Sequence, residues 1–303
     1  MGRFDDKVVV ITGAASGIGR ALAAAFAKRG ARLAISDRNQ EDLAASAEEA
    51  GRAGAREVRT YRLDVSERPA ILDHAEQVRG DFGRVNVVVN NAGVALAAEA
   101  LEQSHEDLDW LLGINLQGVI TGSQAFLPHL IASGDGHLVN VSSIFGMIGV
   151  PGQSAYNAAK FAVRGYTEAV AIEMEVRNHP VQVHCVHPGG IRTNICRSAR
   201  VKRANRRDAL VRAFDEMART TPEQAAAIIL RGVDRGKRRI FVGPDAHLID
   251  LTTRMLGSHY QKLVAWAARR SEERVETFAA EMGADEGDTP PAETSVAKGA
   301  TTR

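Results

Sequence analysis

Three side chains in the middle of the sequence have the spacing needed for proton transfer. Tyr156 and Lys160 lie four residues apart, and Ser143 lies thirteen residues before the tyrosine. Positions i and i+4 share one face of a helix, so the ammonium can lie beside the phenol. A phenol has a pKa near ~10, and a neighbouring cation lowers that pKa because it stabilises the phenolate. The spacing therefore predicts a tyrosine tuned for general acid–base chemistry, with Ser143 steadying charge on the reacting oxygen.

A glycine-rich turn near the N-terminus gives this pair a context, since a Tyr–Lys pair alone also fits a solvated helix face. Residues 7–12 form a short β-branched run typical of a strand buried in a parallel sheet. Gly13, Gly17 and Gly19 follow, and an alanine-rich helical pattern continues to Gly30. Backbone N–H groups and the positive helix end would face an anion there. We interpret this segment as the pyrophosphate site of a dinucleotide.

Six motifs in one order identify a family. They are Thr12-Gly13-x-x-x-Gly17-x-Gly19, Asn90-Asn91-Ala92-Gly93, Asn115, Ser143, Tyr156-x-x-x-Lys160 and Pro188-Gly189. In these motifs and their spacing, residues 4–245 resemble the short-chain dehydrogenase/reductase family in its compact single-domain form. The resemblance implies a Rossmann-type fold, a nicotinamide cofactor, and hydride transfer between a carbonyl and an alcohol.

The remaining pattern alternates between strand and helix. Strands are predicted near 32–36, 57–63, 85–89, 136–141, 181–186 and 239–242, and helices near 40–53, 67–82, 106–129 and 154–178. Such alternation predicts an α/β fold, with a doubly wound parallel sheet covered by helices on both faces. We expect a dinucleotide-binding and catalytic domain over 1–245, a helical extension over 246–282 and a disordered tail over 283–303.

The resemblance also assigns roles to individual residues. In the active site it implies that Ser143 donates a hydrogen bond to the substrate oxygen and that Tyr156 gives or takes the proton. Lys160 would lower the pKa of Tyr156 and hold the nicotinamide ribose. Asn115 interrupts a helix, and the resemblance implies that its side chain anchors a water that links Lys160 to solvent. His187, which precedes Pro188, receives no role.

The cofactor-binding residues follow in the same way. They are expected to be Gly13, Ser16, Gly17, Ile18, Gly19, Asp37, Arg38, Asp64, Val65, Asn91, Tyr156, Lys160, Ile191 and Thr193. An acid at the end of the second strand binds the adenosine ribose and repels a 2′-phosphate, so Asp37 favours NAD. The adjacent Arg38 leaves NADP open, and Asp37 could also serve only to cap a turn.

Composition fits a globular chain of nearly balanced charge. Of 303 residues, 45% are hydrophobic and 25% charged, and Lys+Arg (38) nearly balance Asp+Glu (37). This balance gives no argument for nucleic acid. Cys185 and Cys196 are too few for a disulfide framework. The sequence shows no signal core and no apolar run near the ~20 residues that cross a bilayer. We therefore expect a cytoplasmic enzyme with no metal.

The substrate is less well defined. The apolar residues expected around the pocket are Leu96, Phe145, Met147, Ile148, Val150 and Ile195. They indicate a lipophilic ketone or secondary alcohol, such as a steroid, retinoid or long-chain compound, unless they belong to the core. Residues 192–219 carry nine basic and three acidic residues and would form a lid. Their cations either lie on a solvated helix face or dock an acidic substrate group or anionic lipid.

Several alternatives stay open at this point. Trp266 beside Arg269 and Arg270 suits a membrane surface or a partner helix, although such a stripe more often packs on its own domain or across a subunit interface. We expect a homo-oligomer, either a dimer or a tetramer. A catalytically silent dinucleotide sensor, a membrane-associated scaffold and a sugar-nucleotide epimerase are rival functions. The intact set of catalytic residues and the glycine spacing favour an NAD(P)-dependent alcohol dehydrogenase or ketoreductase.

Overall fold

A parallel β-sheet forms the centre of the molecule. The computed structural model describes residues 4–202 and 207–281. In chain order, the strands are β1 (Val8–Thr12), β2 (Arg32–Asp37), β3 (Glu57–Arg62), β4 (Val87–Asn90), β5 (Leu96–Ala97), β6 (Gly136–Val141), β7 (Val181–Pro188), β8 (Arg200–Val201) and β9 (Arg239–Val242). Seven of them lie in the order β3-β2-β1-β4-β6-β7-β9, all parallel. This order confirms the predicted Rossmann-type α/β fold.

Helices cover both faces of this sheet. They are α1 (Gly17–Ala27), α2 (Gln40–Ala53), α3 (Arg68–Phe82), α4 (His105–Leu112), α5 (Gly118–Ser133), α6 (Ser154–Val176), α7 (Arg207–Met217), α8 (Pro222–Asp234), α9 (Pro244–Leu256) and α10 (Tyr260–Glu281). One core cluster joins α1, α2 and α8 to the sheet, and a second joins α3, α5 and α6 to its opposite face. Strands covered on both faces read as continuous apolar runs, as the Val-Val-Val-Ile-Thr sequence of β1 does.

Most predicted elements are present, with two kinds of difference. α2 and β6 match the predicted ranges 40–53 and 136–141. The helix predicted over 106–129 is instead α4 and α5 joined by a π-helical turn, Gly113–Gln117, which holds Asn115. The short strands β5 and β8 and helix α8 have no counterpart among the predicted elements. The tail at 283–303 lies outside the described residues.

A chain of buried polar side chains crosses the sheet beside the site. The Asn90 side-chain amide donates to Asn140 Oδ1 at 2.8 Å, and the Asn140 amide donates to Thr167 Oγ1 at 3.1 Å. The Thr167 hydroxyl donates to the Val163 carbonyl at 2.6 Å. Buried polar groups are costly without partners, and each of these groups has one. The chain of bonds ties β4, β6 and α6 together.

The two helices predicted beyond residue 245 are present as α9 and α10. α9 packs through Ala246 and Ile249 against Ile144 and Met147, which lie between β6 and α6. α10 packs along α7. There Val275 is buried and the Arg212 guanidinium lies 4.1 Å from the centroid of the Phe278 ring. The extension therefore adjoins both the segment after β6 and the segment after β7.

Candidate active site

Ser143, Tyr156 and Lys160 meet at the carboxyl edge of the sheet. Ser143 follows β6, and the other two lie in the first two turns of α6. Tyr156 and Lys160 are 9% and 3% exposed. Lys160 Nζ donates to the Val141 carbonyl at 2.9 Å and lies 5.6 Å from the centroid of the Tyr156 ring. The predicted i, i+4 pair is thus held on one helix face, with the ammonium against the end of β6.

Hydrogen bonds fix Ser143 relative to the phenol. The Phe145 N–H donates to Ser143 Oγ at 3.1 Å, and the Ser143 hydroxyl is hydrogen-bonded to the Tyr156 phenol. Asn157 holds the connecting segment, since its amide donates to the carbonyls of Phe145 and Ile148, both at 2.7 Å. Its Oδ1 accepts from the Val150 N–H at 3.0 Å. Asn157 therefore sets the path of the chain between Ser143 and Tyr156.

Burial is the largest influence on the pKa values of Tyr156 and Lys160. Burial raises the pKa of Tyr156 to about 12, and the hydrogen bond with Ser143 acts in the opposite direction. Burial also lowers the pKa of Lys160 to about 8. The sequence predicted a phenol with a lowered pKa. The difference arises because both groups are removed from water, which disfavours the charged form of each.

His187 lies directly behind Ser143, although the sequence assigned it no role. Its Nδ1 is 3.1 Å from the Ser143 carbonyl oxygen, and its ring stacks on Phe241 at a centroid distance of 5.4 Å. Burial lowers the pKa of His187 to about 4, so the imidazole is neutral at pH 7. A neutral Nδ1–H donates to the carbonyl and holds the backbone of Ser143.

Asn115 is buried in the π-helical turn on the other side of Lys160. Its Oδ1 accepts from the Val94 N–H and its amide donates to the Val94 carbonyl, both at 2.8 Å. Gly93 fits between the two side chains. A Cβ on Gly93 would lie 3.3 Å from Asn115 Oδ1 and 3.7 Å from Lys160 Nζ. The structure thus brings Asn115 and Lys160 next to the same glycine.

The glycine turn packs closely against the end of β4. Gly13 has a φ of +66°, and a Cβ there would lie 2.7 Å from Ala92 Cα. A Cβ on Gly19 would lie 2.2 Å from the Gly13 carbonyl oxygen, so only glycine fits. α1 begins at Gly17, and the Ser16 side chain makes no capping hydrogen bond within the described residues. The first backbone N–H groups of α1 have no intrahelical acceptor.

The residues assigned to the adenosine half lie at the ends of β2, β3 and β4. Asp37 accepts from the Ala15 N–H at 3.1 Å and from the Asn39 N–H at 3.0 Å, so it does cap the turn. Asp64 accepts from the backbone and hydroxyl of Ser66 at 2.9 and 2.7 Å. The Asn91 amide donates to the carbonyls of Thr12 and Gly13 and joins β4 to the glycine turn.

The remaining assigned residues are placed as follows. Arg38 borders a cleft that also contains Asn39, Arg62, Asp64 and Ala70. Val65 lies against α5, where a Cβ on Gly118 would be 2.8 Å from its carbonyl oxygen. Ile18 is half-buried in the first turn of α1.

The segment after β7 folds over the site. Ile191 is buried and forms a bridge with Thr220. A Cβ on Gly17 would be 3.1 Å from Thr193 Cγ2, so the glycine turn and this segment face each other. β8 pairs with β5 and continues the cover.

Asp107 anchors that cover from α4, and the sequence did not single it out. It pairs with Lys202 at 2.6 Å and Arg200 at 3.1 Å. The Arg200 guanidinium also lies 3.9 Å from the centroid of the Trp110 ring. The Lys202 ammonium, with Ser104 and Arg200, holds the pKa of Asp107 well below its usual range. These cations of the predicted basic lid are therefore used in internal contacts; residues 203–206 of the lid lie outside the described chain.

Comparison with known proteins decides the family. Residues 7–204 match the profile of the short chain dehydrogenases. Over 266 residues, or 88% of this chain and 96% of its relative, the sequence is 50% identical to SadH of Mycobacterium tuberculosis. The chain belongs to the short-chain dehydrogenase/reductase family. This confirms the resemblance read from the six motifs and makes the protein a member of an oxidoreductase family.

Two further family members are similar over most of the domain. FabG of Thermotoga maritima, a 3-oxoacyl-(acyl-carrier-protein) reductase, is 41% identical over 192 residues, or 63% of this chain and 76% of FabG. A family member from Burkholderia phymatum, solved in complex with NAD, superposes with a TM-score of 0.77 at 29% identity. The superposition covers 87% of this chain and 96% of that one.

The described residues can also be compared with the requirements of a metal site and of a membrane-spanning helix. Within residues 4–202 and 207–281, no cluster of three or more His, Cys, Asp or Glu side chains could hold a metal ion. In the same part of the chain, no helix combines the length and the apolar character needed to cross a bilayer.

Proposed function

We propose that the protein is an NAD(P)-dependent oxidoreductase that interconverts a secondary alcohol and a ketone, with Tyr156 as general acid and base. One observation carries this proposal: the buried Tyr156 phenol is hydrogen-bonded to Ser143 and adjoins Lys160. A phenol removed from water, with a hydroxyl on one side and an ammonium on the other, has proton-transfer partners without competition from solvent.

The nucleotide end of the site fits a dinucleotide. The first turn of α1 has no side-chain cap among the described residues, which suits a pyrophosphate. We assign the pyrophosphate to Gly13, Ser16, Gly17, Ile18 and Gly19, the adenosine to Asp37, Arg38, Asp64, Val65 and Asn91, and the nicotinamide half to Tyr156, Lys160, Ile191 and Thr193. Asp37 supports NAD over NADP, as does the NAD complex of the Burkholderia phymatum relative. When bound, the nicotinamide supplies or accepts the hydride.

The side chains around the substrate oxygen divide the remaining work. The Phe145 N–H occupies a lone pair of Ser143 Oγ, so the serine hydrogen is directed towards the phenol and the substrate oxygen. In carbonyl reduction, Tyr156 gives its proton to that oxygen, and in alcohol oxidation it takes the proton back. Lys160, held by the Val141 carbonyl, stabilises the phenolate that reduction leaves behind. We assign Asn115 to the water that returns a proton towards Lys160.

The protonation of Tyr156 favours one direction at neutral pH. Because burial raises the pKa of Tyr156 to about 12, the phenol holds its proton and can donate it at once. The protonated phenol is the form that carbonyl reduction requires. Alcohol oxidation requires the phenolate, and its rate is expected to rise with pH.

The substrate that we propose is a lipophilic ketone or alcohol. Phe145 stands edge-on to the Tyr156 ring at a centroid distance of 6.1 Å, and Leu96 belongs to the same apolar cluster. Ile144 and Met147 belong instead to the core under α9. Phe145 and Leu96, which belong to the same apolar cluster as Tyr156, therefore support this substrate class. Ile148, Val150 and Ile195 support it less directly.

Assembly and location are part of the same proposal. Phe161, Ile172 and Val176 are exposed apolar side chains at helical spacing on α6, which supports a subunit contact in a homodimer or homotetramer. We place the protein in the cytoplasm, with residues 1–245 as the catalytic domain and 246–282 as its extension.

A turnover assay with a matched variant tests the proposal. The full chain is mixed with NADH or NADPH and a panel of lipophilic ketones, and absorbance at 340 nm is followed alongside Tyr156→Phe. We expect oxidation of one cofactor, and a loss of roughly 10²–10⁴-fold in kcat for the variant with unchanged cofactor binding. Tight cofactor binding without turnover on any ketone or alcohol would transfer the assignment to a sensor. Absence of binding to either cofactor would contradict the proposal altogether.

A further inference from the structure

The apolar side chains of α9 face away from the protein. Ala246 is buried and Ile249 half-buried on the packed side of the helix. Leu248, Leu251 and Met255 are 64%, 55% and 76% exposed. At 3.6 residues per turn these three positions share one face, opposite Ala246. A surface helix normally turns such a face inward, so the arrangement in α9 is inverted.

α10 repeats the inversion after a short 3₁₀ turn, Gly257–His259. Tyr260, Val264 and Val275 lie on its half-buried and buried side. Leu263 and Trp266 lie on the other side and are 47% and 50% exposed. The apolar stripe predicted for this helix therefore does not pack on its own domain in the described chain. We define the extension surface as Leu248, Leu251, Met255, Leu263 and Trp266.

The charges that accompany the extension surface are positive. From residue 251 to residue 271 the sequence contains Arg254, Lys262, Arg269 and Arg270 and no Asp or Glu. Arg254 pairs with Asp250 at 2.9 Å, so Lys262, Arg269 and Arg270 supply the net positive charge. Lys262 and Arg269 are exposed, and the Arg270 guanidinium lies 4.2 Å from the centroid of the Trp266 ring. Acidic residues resume at Glu272, which marks the end of the cationic stretch.

We propose that α9 and α10 attach the protein to the surface of an anionic lipid bilayer. Leucine, methionine and tryptophan side chains partition into the boundary between headgroups and acyl chains, and lysine and arginine pair with lipid phosphates. Charge complementarity selects this occupant over a second copy of the chain. Two-fold pairing of the surface with itself would bring one set of cations against the other. Attachment lies in the plane of the interface and needs no spanning helix.

The attached surface adjoins the catalytic segment. The Gly149 N–H donates to the Tyr260 hydroxyl at 3.2 Å, and Ile249 packs near Ile144. These contacts join both helices of the extension to the stretch between Ser143 and Tyr156. A lipophilic substrate dissolved in the bilayer would then enter beside the phenol; this last step rests on the proposed function, whereas attachment does not.

Vesicle sedimentation of the full-length chain tests attachment without any measurement of turnover. The vesicles are phosphatidylcholine alone or phosphatidylcholine with about one third phosphatidylglycerol. We expect binding only to the anionic vesicles, weakened by added salt, with a blue shift of tryptophan emission that is absent in Trp266→Phe. Each cation at an anionic surface contributes roughly fivefold in partitioning, so Lys262→Gln with Arg269→Gln should weaken binding by about 20- to 30-fold. Leu251→Ser with Trp266→Ser should weaken it by at least about tenfold.

Matched controls separate this surface from general charge and hydrophobicity. Arg68→Gln with Arg79→Gln removes two exposed cations from α3, and Leu72→Ser with Leu101→Ser removes two exposed leucines. Both controls should bind like the unmodified chain. Absence of binding to anionic vesicles, or equal losses in the controls, would overturn the proposal. So would a dimer that becomes a monomer on Leu251→Ser with Trp266→Ser, because the surface would then lie between copies.

Discussion

α6 and α10 are helices of nearly equal length, with 23 and 22 residues, and they differ in what they bury. α6 buries polar groups, among them Asn157, Lys160 and Thr167. α10 exposes apolar groups, Leu263 and Trp266. Each arrangement departs from the usual amphipathic pattern of a surface helix.

The two helices also differ in what contacts these side chains. The buried polar groups of α6 find partners inside the fold, because Lys160 donates to the Val141 carbonyl and Asn157 to that of Phe145. For the apolar side chains of α10, the described chain offers no cover, and the cations around them point to a partner outside. We therefore relate the buried Lys160 of α6 to the proposed reaction, and the exposed Leu263 and Trp266 of α10 to the proposed attachment.

Lys160→Met should give the largest effect among the variants that test this difference between α6 and α10. It removes the buried cation and nearly keeps the volume of the side chain. We expect a loss of at least about 100-fold in turnover, since the phenolate loses its stabilising charge. Burial lowers the pKa of Lys160 from 10.5 to about 8, so the charged form costs about 3 kcal/mol in the fold. Part of that cost is recovered from the bond to Val141, and we expect the variant to unfold in urea with a free energy higher by about 1–2 kcal/mol.

The same shift predicts a pH dependence with a definite sign. Between the folded pKa of about 8 and the unfolded value of 10.5, the unfolded chain binds the proton that folded Lys160 has lost. Stability should therefore rise with pH in this window, by about 2 kcal/mol relative to Lys160→Met between pH 7.5 and 10. Tyr156 acts in the opposite sense above pH 10, where its raised pKa matters. Lys262→Met on exposed α10 serves as the control, and a similar slope difference in that variant would refute the assignment.

Asn140→Ala should produce the next largest effect, on stability alone. It removes the 2.8 Å acceptor of the Asn90 amide, which keeps only Ser123 Oγ at 3.2 Å and the Val119 carbonyl at 3.5 Å, and it removes the donor to Thr167 Oγ1. We expect a loss of about 2–4 kcal/mol in urea unfolding. Thr167→Val keeps the shape and removes one hydroxyl, which accepts from Asn140 and donates to the Val163 carbonyl, and it should cost about half as much. Equal values for the two variants would mean that Asn140 is not the centre of the network.

Asp107→Asn should affect the site from a distance. The carboxylate holds Arg200 and Lys202, and through them β8, over the site. We expect KM to rise by about two- to fivefold with little change in kcat, because the chemical groups are untouched. Asp109→Asn, an exposed acid on the same helix, is the matched control. A fall in kcat at constant KM would show that Asp107 acts on the reacting groups instead.

Leu251→Ser with Met255→Ser should change stability least, by less than about 0.5 kcal/mol, although it removes two large apolar side chains. Both side chains are more than half exposed, so the folded chain loses little packing. Urea unfolding at low protein concentration measures this directly. A loss of 2 kcal/mol or more would show that the surface is covered in solution, and the contrast between α6 and α10 would fail.

The sequence was sufficient for the fold and for the position of the main side chains. Continuous apolar runs predicted strands such as β6, and the i, i+4 spacing placed Tyr156 and Lys160 on one face of α6. These signals are local, since each depends on residues within one or two turns of each other. The roles of the fourteen cofactor residues stay a prediction.

The long-range features were beyond the sequence. Asp107 and Arg200 are 93 positions apart, and the pairing of β5 with β8 involves two residues on each side. The pKa of Tyr156 depends on how completely the fold removes water, which no spacing rule gives. His187 carried a signal, namely a histidine at the end of a buried strand beside Pro188, but its contact with Ser143 required the packed sheet. The exposure of Trp266 likewise depends on which face of α10 meets α7.

The chain of hydrogen bonds from Asn90 through Asn140 to Thr167 has a consequence for the evolution of the sequence. Asn140 is bonded to both of the other side chains, and the three lie on different elements of the fold. A mutation at one position should therefore be tolerated best when a compensating mutation arises at another. Across homologues we expect these three positions to change together or not at all. Their covariation would then report that β4, β6 and α6 are in contact.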